Sequence, residues 1–392
     1  MRTRPSRTGP APNGASAIAA ENDLLKTRFG AAMRVAGLAP GAKVALAVSG
    51  GGDSIALMHL FKDWGATGAT VLIVDHGLRK GSAKEAAEVR RWAKLAGFPA
   101  FVLTVKEARP RDTGIEEQAR NARYRLLGAW CRKACVESLL LAHTRDDQAE
   151  TFLLRLARGS GVDGLSSMRG KSPLPIPAFA AVTLYRPLLG IARSELRDYL
   201  KVRGIEWLED PMNDDPRFAR VRMRKLLPVL AESGVSVSRI AEAAEHQARA
   251  REALEGATEA FLAAHARMGR GVAFLDQAAL LNLPPEIALR ALSAILTRIS
   301  GAPYRPRFER LESLFAALRQ DGFAARTLAG CRIGKAPKAR GEFGPATLEI
   351  RAEAPRGKTA SQHAPSGVKS QSADLAEKSP HKGRNRVAIW NS

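Results

Sequence analysis

Cysteine is scarce: three residues in a chain of 392 cannot build a disulfide framework, which excludes a cysteine-stapled secreted scaffold and suits a reducing cytosol. Cys131 and Cys135 stand one helical turn apart in WCRKAC, but no second pair lies near them, so they read as core or surface thiols rather than metal ligands. Long apolar runs are also missing. Nothing approaches the roughly 18 uninterrupted apolar residues of a membrane span, and the N-terminal stretch MRTRPSRTGPAPNGASAIAA lacks the continuous apolar core of a secretory signal. The expectation is a soluble, cytoplasmic protein with no membrane partner. Acid is in deficit, with 39 Asp and Glu against 61 Lys and Arg, a formal net charge of +22. Such an excess is more than solubility requires and implies a polyanionic partner, nucleic acid first, unless a genome-wide bias toward Arg and Ala produced it.

What the chain does have is enough apolar residue, 45%, for proper cores in two or three domains. From Lys43 short apolar runs alternate with longer amphipathic ones: KVALAVS, TVLIVDH, AFVLTV and SLLLAH are each followed by a helical pattern. That rhythm predicts an α/β domain with a parallel sheet flanked by helices. Ligands of such sheets bind beyond the carboxyl ends of the strands, where Ser49–Ser54, Asp75–Arg79 and His143–Asp147 all fall. Residues 1–20 read as a disordered arm, 21–230 as the α/β domain and 235–350 as a mostly helical domain. Residues 354–392, rich in Lys, Arg, Ser and Pro, read as a disordered basic tail.

The most distinctive stretch, AVSGGGDSIALMHL, places a glycine turn between a buried strand and a helix. A turn of this kind presents backbone N–H groups and a helix N-terminus to one point, which is a ready anion site, although a lone triglycine is as often a plain tight turn. It ends Gly52-Asp53-Ser54, with an acid where a Walker A loop carries lysine. An acid there would repel bare phosphate, so a magnesium ion between the two makes sense of it.

The string Ser49-Gly50-Gly51-Gly52-Asp53-Ser54 closely resembles the SGGxDS signature of the N-type ATP pyrophosphatases, or PP-loop enzymes. The segments VDHGLR, IEEQARNARY, LAHTRDDQAET, RGSGVDGLSSM and WLEDPMNDDPRFARVRMR resemble, in order, those of one family within it, the tRNA(Ile)-lysidine synthetases; the likeness runs from about Val44 to Leu230. GAPYRPRFERLESL and ARTLAGCRIG look more loosely like that family's C-terminal tRNA-binding region. The resemblance implies a Rossmann-like adenine nucleotide alpha hydrolase fold. It also implies that ATP activates the wobble cytidine of a tRNA(Ile) bearing a CAU anticodon and that free lysine then joins the base. AMP and pyrophosphate are released, codon specificity moves from AUG to AUA, and charging moves from methionine to isoleucine. A homodimer is also compatible with it.

The resemblance gives the residues roles. Ser49, Gly50, Gly51, Gly52, Asp53 and Ser54 would cradle ATP, with both serines donating hydroxyls and Asp53 holding magnesium. Asp53, His143, Asp147 and Arg120 are the candidate catalytic residues. Asp147 and Glu150, three apart on one helical face, would bind lysine, although acids there also suit a solvated helix N-terminus. Arg123 shares a face with Arg120 and would meet phosphate or carboxylate, as would Arg220, Arg222 and Arg224 on the lysine or the tRNA; ordinary surface arginines are the alternative. His76, at a strand end, is a plausible contact but more often a structural residue. Two departures stand out, Thr144 where the family has a second His and Val221 where it commonly has Asn. Two rivals frame this reading. A tRNA 2-thiocytidine enzyme of the same superfamily needs paired Cys-x-x-Cys motifs, which this chain lacks; a basic RNA-binding module would have no use for Asp147 and Glu150.

Overall fold

The computed structural model describes residues 13–65, 67–77, 81–105, 115–209, 217–302, 304–337 and 341–353. They form two compact units, one made by the chain through His265 with Leu283–Ala291, the other by Ala266–Asn282 and the chain from Leu292. In the first unit the strands are β1 (Val44–Ala47), β2 (Ala69–Asp75), β3 (Ala100–Thr104), β4 (Ser138–Leu140), β5 (Lys171–Pro173) and β6 (Thr183–Tyr185). Its helices are α1 (Asn13–Val35), α2 (Gly52–Asp63), α3 (Ser82–Leu95), α4 (Ile115–Lys133), α5 (Arg145–Leu156), α6 (Val162–Leu165), α7 (Arg193–Val202), α8 (Ala219–Glu232) and α9 (Val237–His265).

The sheet order is β3-β2-β1-β4-β6-β5, parallel except for β5, which pairs antiparallel to β6. Every residue of β1 is buried, and the strand feeds two cores by alternation. Val44, Leu46 and Val48 pack with Phe29, Leu57 and Phe61 on one face, while Ala45 and Ala47 pack with Leu72, Tyr124 and Leu127 on the other. Both faces being covered is why these strands read as continuous apolar runs. Phe29, Leu57 and Phe61 are completely inaccessible, and each such burial contributes about 1.5–3 kcal/mol. Chain order runs outward from β1 through β2 to β3 on one side and then passes to β4 on the other, so the carboxyl ends of β1 and β4 flank the point where it reverses. In doubly wound sheets that is the crevice that takes ligands.

The organisation expected above differs in three respects, two limits and one added sheet. Helix α1 starts at Asn13, inside the stretch expected to be an arm to residue 20, because the alanine-rich run after it has strong helix propensity. The boundary expected at 235 falls instead at His265, since α9 packs on α5 and α6 and its Ile240 joins Ala149 and Leu227 in one apolar cluster. The helices expected after residue 235 are present, as α9, α10 (Gln277–Leu281), α11 (Pro285–Ser300) and α12 (Phe308–Leu318). They are joined by an unanticipated antiparallel sheet in the second unit. Its strands β7 (Ala266–Gly269), β8 (Val272–Asp276), β9 (Arg326–Leu328), β10 (Cys331–Lys335) and β11 (Thr347–Ala352) run in the order β7-β8-β11-β10-β9 and bury Leu275, Ile333, Leu348 and Ile350. Residues 1–12 of the expected arm, the tail 354–392 and Arg79 lie outside the described residues.

Candidate active site

After β1 the chain turns sharply. Gly50 adopts φ +97°, and a Cβ added there would lie 2.6 Å from Val89 and 2.7 Å from Leu208, so both backbone angle and space demand glycine. Leu208 N–H donates to the Gly50 carbonyl at 2.9 Å, tying the segment Trp207–Glu209 over the loop. Helix α2 then starts at Gly52 with Gly51 as its N-cap. The two serines take different parts. Ser54 Oγ accepts from the backbone N–H groups of Ser49 and Gly50, at 3.1 and 3.2 Å, and donates to the Gly51 carbonyl at 2.8 Å. Its hydroxyl therefore folds the loop onto itself, while Ser49 is exposed.

Opposite the loop, β4 ends and α5 begins at Thr144, a complete capping box. Thr144 N–H donates to Asp147 Oδ2 at 2.8 Å, and Asp147 N–H returns a bond to the threonine hydroxyl at 3.4 Å. This accounts for Thr144: the residue where the family has histidine is here the N-cap. Asp147 does more than cap, because its Oδ1 meets Arg193 Nη2 at 3.2 Å and Arg220 Nη1 at 3.7 Å. Glu150, fully buried one turn on, accepts from Arg193 Nη1 and Arg224 Nε, each at 3.0 Å, and its Oε2 is shielded with no hydrogen-bond partner.

Arg193 closes the arrangement. Its Nε lies 3.1 Å from Asp53 Oδ2, so one guanidinium joins Asp53, Asp147 and Glu150, while its backbone N–H donates to Asp146 at 2.8 Å. Sequence reasoning missed this residue. The available signal was a cation in the first turn of α7, where the helix dipole disfavours it unless carboxylates surround it.

The electrostatics follow from burial and these partners. Burial works to raise the Asp147 pKa, but Arg193, His143 and the Thr144 N–H more than offset it, and the carboxylate is held below its usual range. At Asp53 burial prevails over Arg193, and the neighbouring Asp147 and Asp146 add to the rise. His143 is pushed down to about 3, first by burial, against which Asp147 pulls upward while Arg186, Arg123 and Arg220 add to the fall; the ring is neutral at neutral pH. Its shielded Nδ1 has no hydrogen-bond partner.

A cavity of about 330 Å³ gathers most of the predicted residues. Ser49, Gly51, Gly52, Asp53 and Ser54 form its loop side; Arg123, His143, Asp147, Arg220 and Arg224 form the rest, with Arg193, Arg197 and Glu209 as additions. Four predicted residues are placed differently. Gly50 is buried beneath Leu208, and Glu150 sits under the cavity behind Arg193 and Arg224 rather than in its lining. Arg120 lines a neighbouring cavity, and Arg222 is exposed with Nη1 on the Arg217 carbonyl. Val221, the second departure, is buried and so takes no polar role. His76 is depressed by burial and does not line the cavity.

A glycine turn at a helix start, facing Asp147 and several arginines across one cavity, suits a reaction that moves phosphate charge beside a cationic substrate. Comparison with known proteins agrees. Residues 25–230 match the PP-loop domain family. The chain is 44% identical over 299 residues to the tRNA(Ile)-lysidine synthase of Ruegeria pomeroyi, covering 75% of this chain and 69% of that protein. It is 41% identical over 299 residues to that of Wolbachia pipientis, covering 75% and 68%. For that of Methylobacterium nodulans the identity is 40% over 310 residues, covering 76% and 88%. Among solved structures it is similar to the U34-tRNA thiolase NcsA of Methanococcus maripaludis, with TM-score 0.48 and 16% identity over 60% of this chain and 80% of that one.

Proposed function

The chain belongs to the tRNA(Ile)-lysidine synthase family of PP-loop enzymes, and from that membership we propose how its own residues carry out the reaction. It is a carbon–nitrogen ligase that forms lysidine on tRNA(Ile) and uses ATP to do so. In the proposed course the 2-oxygen of the wobble cytidine, in a CAU anticodon, attacks the α-phosphorus of ATP and pyrophosphate leaves. The ε-amine of free lysine then attacks C2, and the cytidine oxygen departs with AMP. The lysine ammonium loses a proton along the way.

The loop N–H groups from Gly51 to Asp53 and the Ser49 hydroxyl face the phosphates; Ser54 acts indirectly, its Oγ taking the N–H groups of Ser49 and Gly50 and holding the loop shape. Magnesium, when bound, neutralises phosphate charge as it shifts toward pyrophosphate. The residues present fit that ion. Among the described residues no three His, Cys, Asp or Glu side chains gather to hold a metal unaided, whereas one carboxylate shared with substrate phosphates is a usual manner of holding magnesium. Asp53, at the cavity's loop edge, is that carboxylate. Asp147, kept ionised, binds a lysine ammonium; Arg220 and Arg224 meet its carboxylate or the transferring phosphate. Neutral His143 is positioned to accept a hydrogen bond from cytidine or amine. The region from residue 235 and the basic tail hold tRNA, and the reaction runs in the cytoplasm, with a homodimer open. No helix of the described residues is long and apolar enough to cross a membrane.

The observation that carries this course is the meeting of Asp53, Asp147 and Glu150 on one guanidinium beside the loop. AMP formation tests it. Wild-type protein should release AMP with a CAU-bearing transcript, and Asp147→Asn should raise the lysine requirement far more than that for ATP. Equal effects on both substrates would reduce Asp147 to a helix cap.

A further inference from the structure

Beside the active-site cavity lies a second one of about 490 Å³, and Arg220 lines both. Seven of its lining side chains are arginines, against a single carboxylate, Asp163, which is already paired with Arg290 at 2.7 Å. Several of these arginines hold one another's surroundings through neutral groups. Arg155 Nη1 donates to the Gly164 carbonyl at 2.8 Å, and Arg186 Nη1 to the Arg169 carbonyl and the Ser172 hydroxyl, at 2.8 and 3.1 Å. Glu255 meets two of the seven, Arg169 Nη2 at 2.8 Å and, beyond hydrogen-bond reach, Arg251 Nε at 3.8 Å; Nε of Arg186, Nε of Arg251 and Oγ1 of Thr151 are shielded and have no hydrogen-bond partner. Arg155 is depressed by burial and by repulsion from Arg120, Arg220, Arg251 and Arg158, and Arg186 by burial first. Like charges packed in this way, with donors left over, form a cavity whose electrostatic cost an anion would offset.

We infer that this second cavity seats a phosphodiester of the tRNA strand next to the wobble cytidine, with Arg155, Arg186 and Arg251 as its principal donors. The inference rests on tRNA being the substrate. A cytidine entering the first cavity brings its flanking phosphates with it, and the wall at Arg220 is where the strand passes from one cavity to the next. ATP phosphates have the glycine loop, and lysine's ammonium has Asp147; the backbone charge of the RNA is what remains to be met. Arginine forks suit a phosphate by paired, charge-assisted hydrogen bonds.

The experiment measures binding of an unmodified tRNA(Ile) transcript to the full chain, without ATP or lysine, across a salt series. Arg155→Gln with Arg251→Gln is the main variant. Arg158→Glu, an exposed position at the end of α5, places a negative charge at the same cavity without touching the core. Thermal melting confirms that each variant is folded. The double variant should bind about tenfold or more weakly, with a salt slope shallower by about 0.7–0.9 for each phosphate that the protein no longer neutralises. The KM for tRNA should rise likewise while those for lysine and ATP hold. An anticodon stem-loop with methylphosphonates flanking the cytidine should bind wild type as weakly as it binds the variant. A raised lysine KM with unchanged tRNA binding would make this a lysine carboxylate site and overturn the inference. An unchanged affinity and slope in both variants would make the cluster structural and overturn it too. Failure of the ligase reading would show separately, as no AMP release by wild type with tRNA and lysine.

Discussion

Replacing Arg193 by methionine removes the cation that three acids share while keeping most of the side chain's bulk. The guanidinium is 15% exposed, Asp147 12% and Glu150 not at all, so solvent screens the contacts at 3.0–3.2 Å only weakly. Deleting one partner of a buried ion pair typically costs about 3–5 kcal/mol, because the other charge is left uncompensated. Glu150 keeps Arg224 at 3.0 Å, which places the expected loss near the low end, about 3 kcal/mol. The pH dependence gives the sharper test. In the wild type Asp147 lies below its ordinary pKa, so its contribution is present above the unfolded value and is lost as pH falls through the folded one. Without Arg193, burial is left to act on Asp147 and Asp53, whose carboxyls are expected above their ordinary values and take up protons on folding, so the variant gains stability as pH falls. The deficit should therefore be largest at pH 7.5 and shrink toward pH 5. Urea unfolding followed by tryptophan fluorescence reads the first unit, since the described tryptophans, Trp64, Trp92, Trp130 and Trp207, all lie in it. A loss below about 1 kcal/mol that is equal at both pH values would refute the clamp, since exposed pairs contribute no more than that.

Further outcomes follow from other parts of the site. Gly50→Ala meets both a left-handed backbone and the side chains of Val89 and Leu208, and should cost about 2 kcal/mol or more with loss of ATP binding, measured by urea unfolding and nucleotide titration. Asp53→Asn should leave thermal melting close to wild type but abolish AMP release at any magnesium concentration; near-normal turnover would remove the metal role. His143 is folded with a pKa of about 3 against an ordinary value near 6.5, so its contribution is full above 6.5 and declines as pH falls toward 3. His143→Gln should flatten the stability profile in that window by up to about 1.4 kcal/mol per pH unit, and an unaltered profile would show that the ring is not buried neutral. Glu150→Gln, with its side chain beneath the cavity, should lower stability more than it raises the lysine KM.

The strand-and-helix rhythm from Lys43 to Leu156 was legible because each β strand is short, apolar and bounded by glycine or a polar turn, and the loop at Ser49–Ser54 announced its own geometry. Asp147 shows where local reading stops. Its spacing from Glu150 and its place at a helix start supported both a lysine site and a cap, and in the folded chain it serves the cap with one oxygen and Arg193 with the other. Glu150 shares that helix face but is turned under the cavity. Arg120 and Arg123, three apart, are about 60° short of a full turn, enough for α4 to send them to different cavities. Arg193 was hidden because its partners come from α2 and α5, 43 or more residues away in the chain. The second unit's sheet was hidden for a related reason: β7 and β9 are short and polar, and β11 pairs with β8 across more than 70 residues, so its stability comes from pairing that no local pattern carries.

The central claim is that one cavity, with Asp53 at its loop and Asp147 opposite, adenylates a cytidine and then ligates lysine to it. Mass spectrometry of the anticodon nucleosides, after incubating a CAU-bearing tRNA(Ile) transcript with protein, ATP, magnesium and isotopically labelled lysine, tests it most directly. The account predicts that the wobble cytidine alone gains one labelled lysine, with one AMP formed per lysine attached, and that Asp53→Asn yields neither product. An unmodified cytidine, or label attached without AMP, would contradict it.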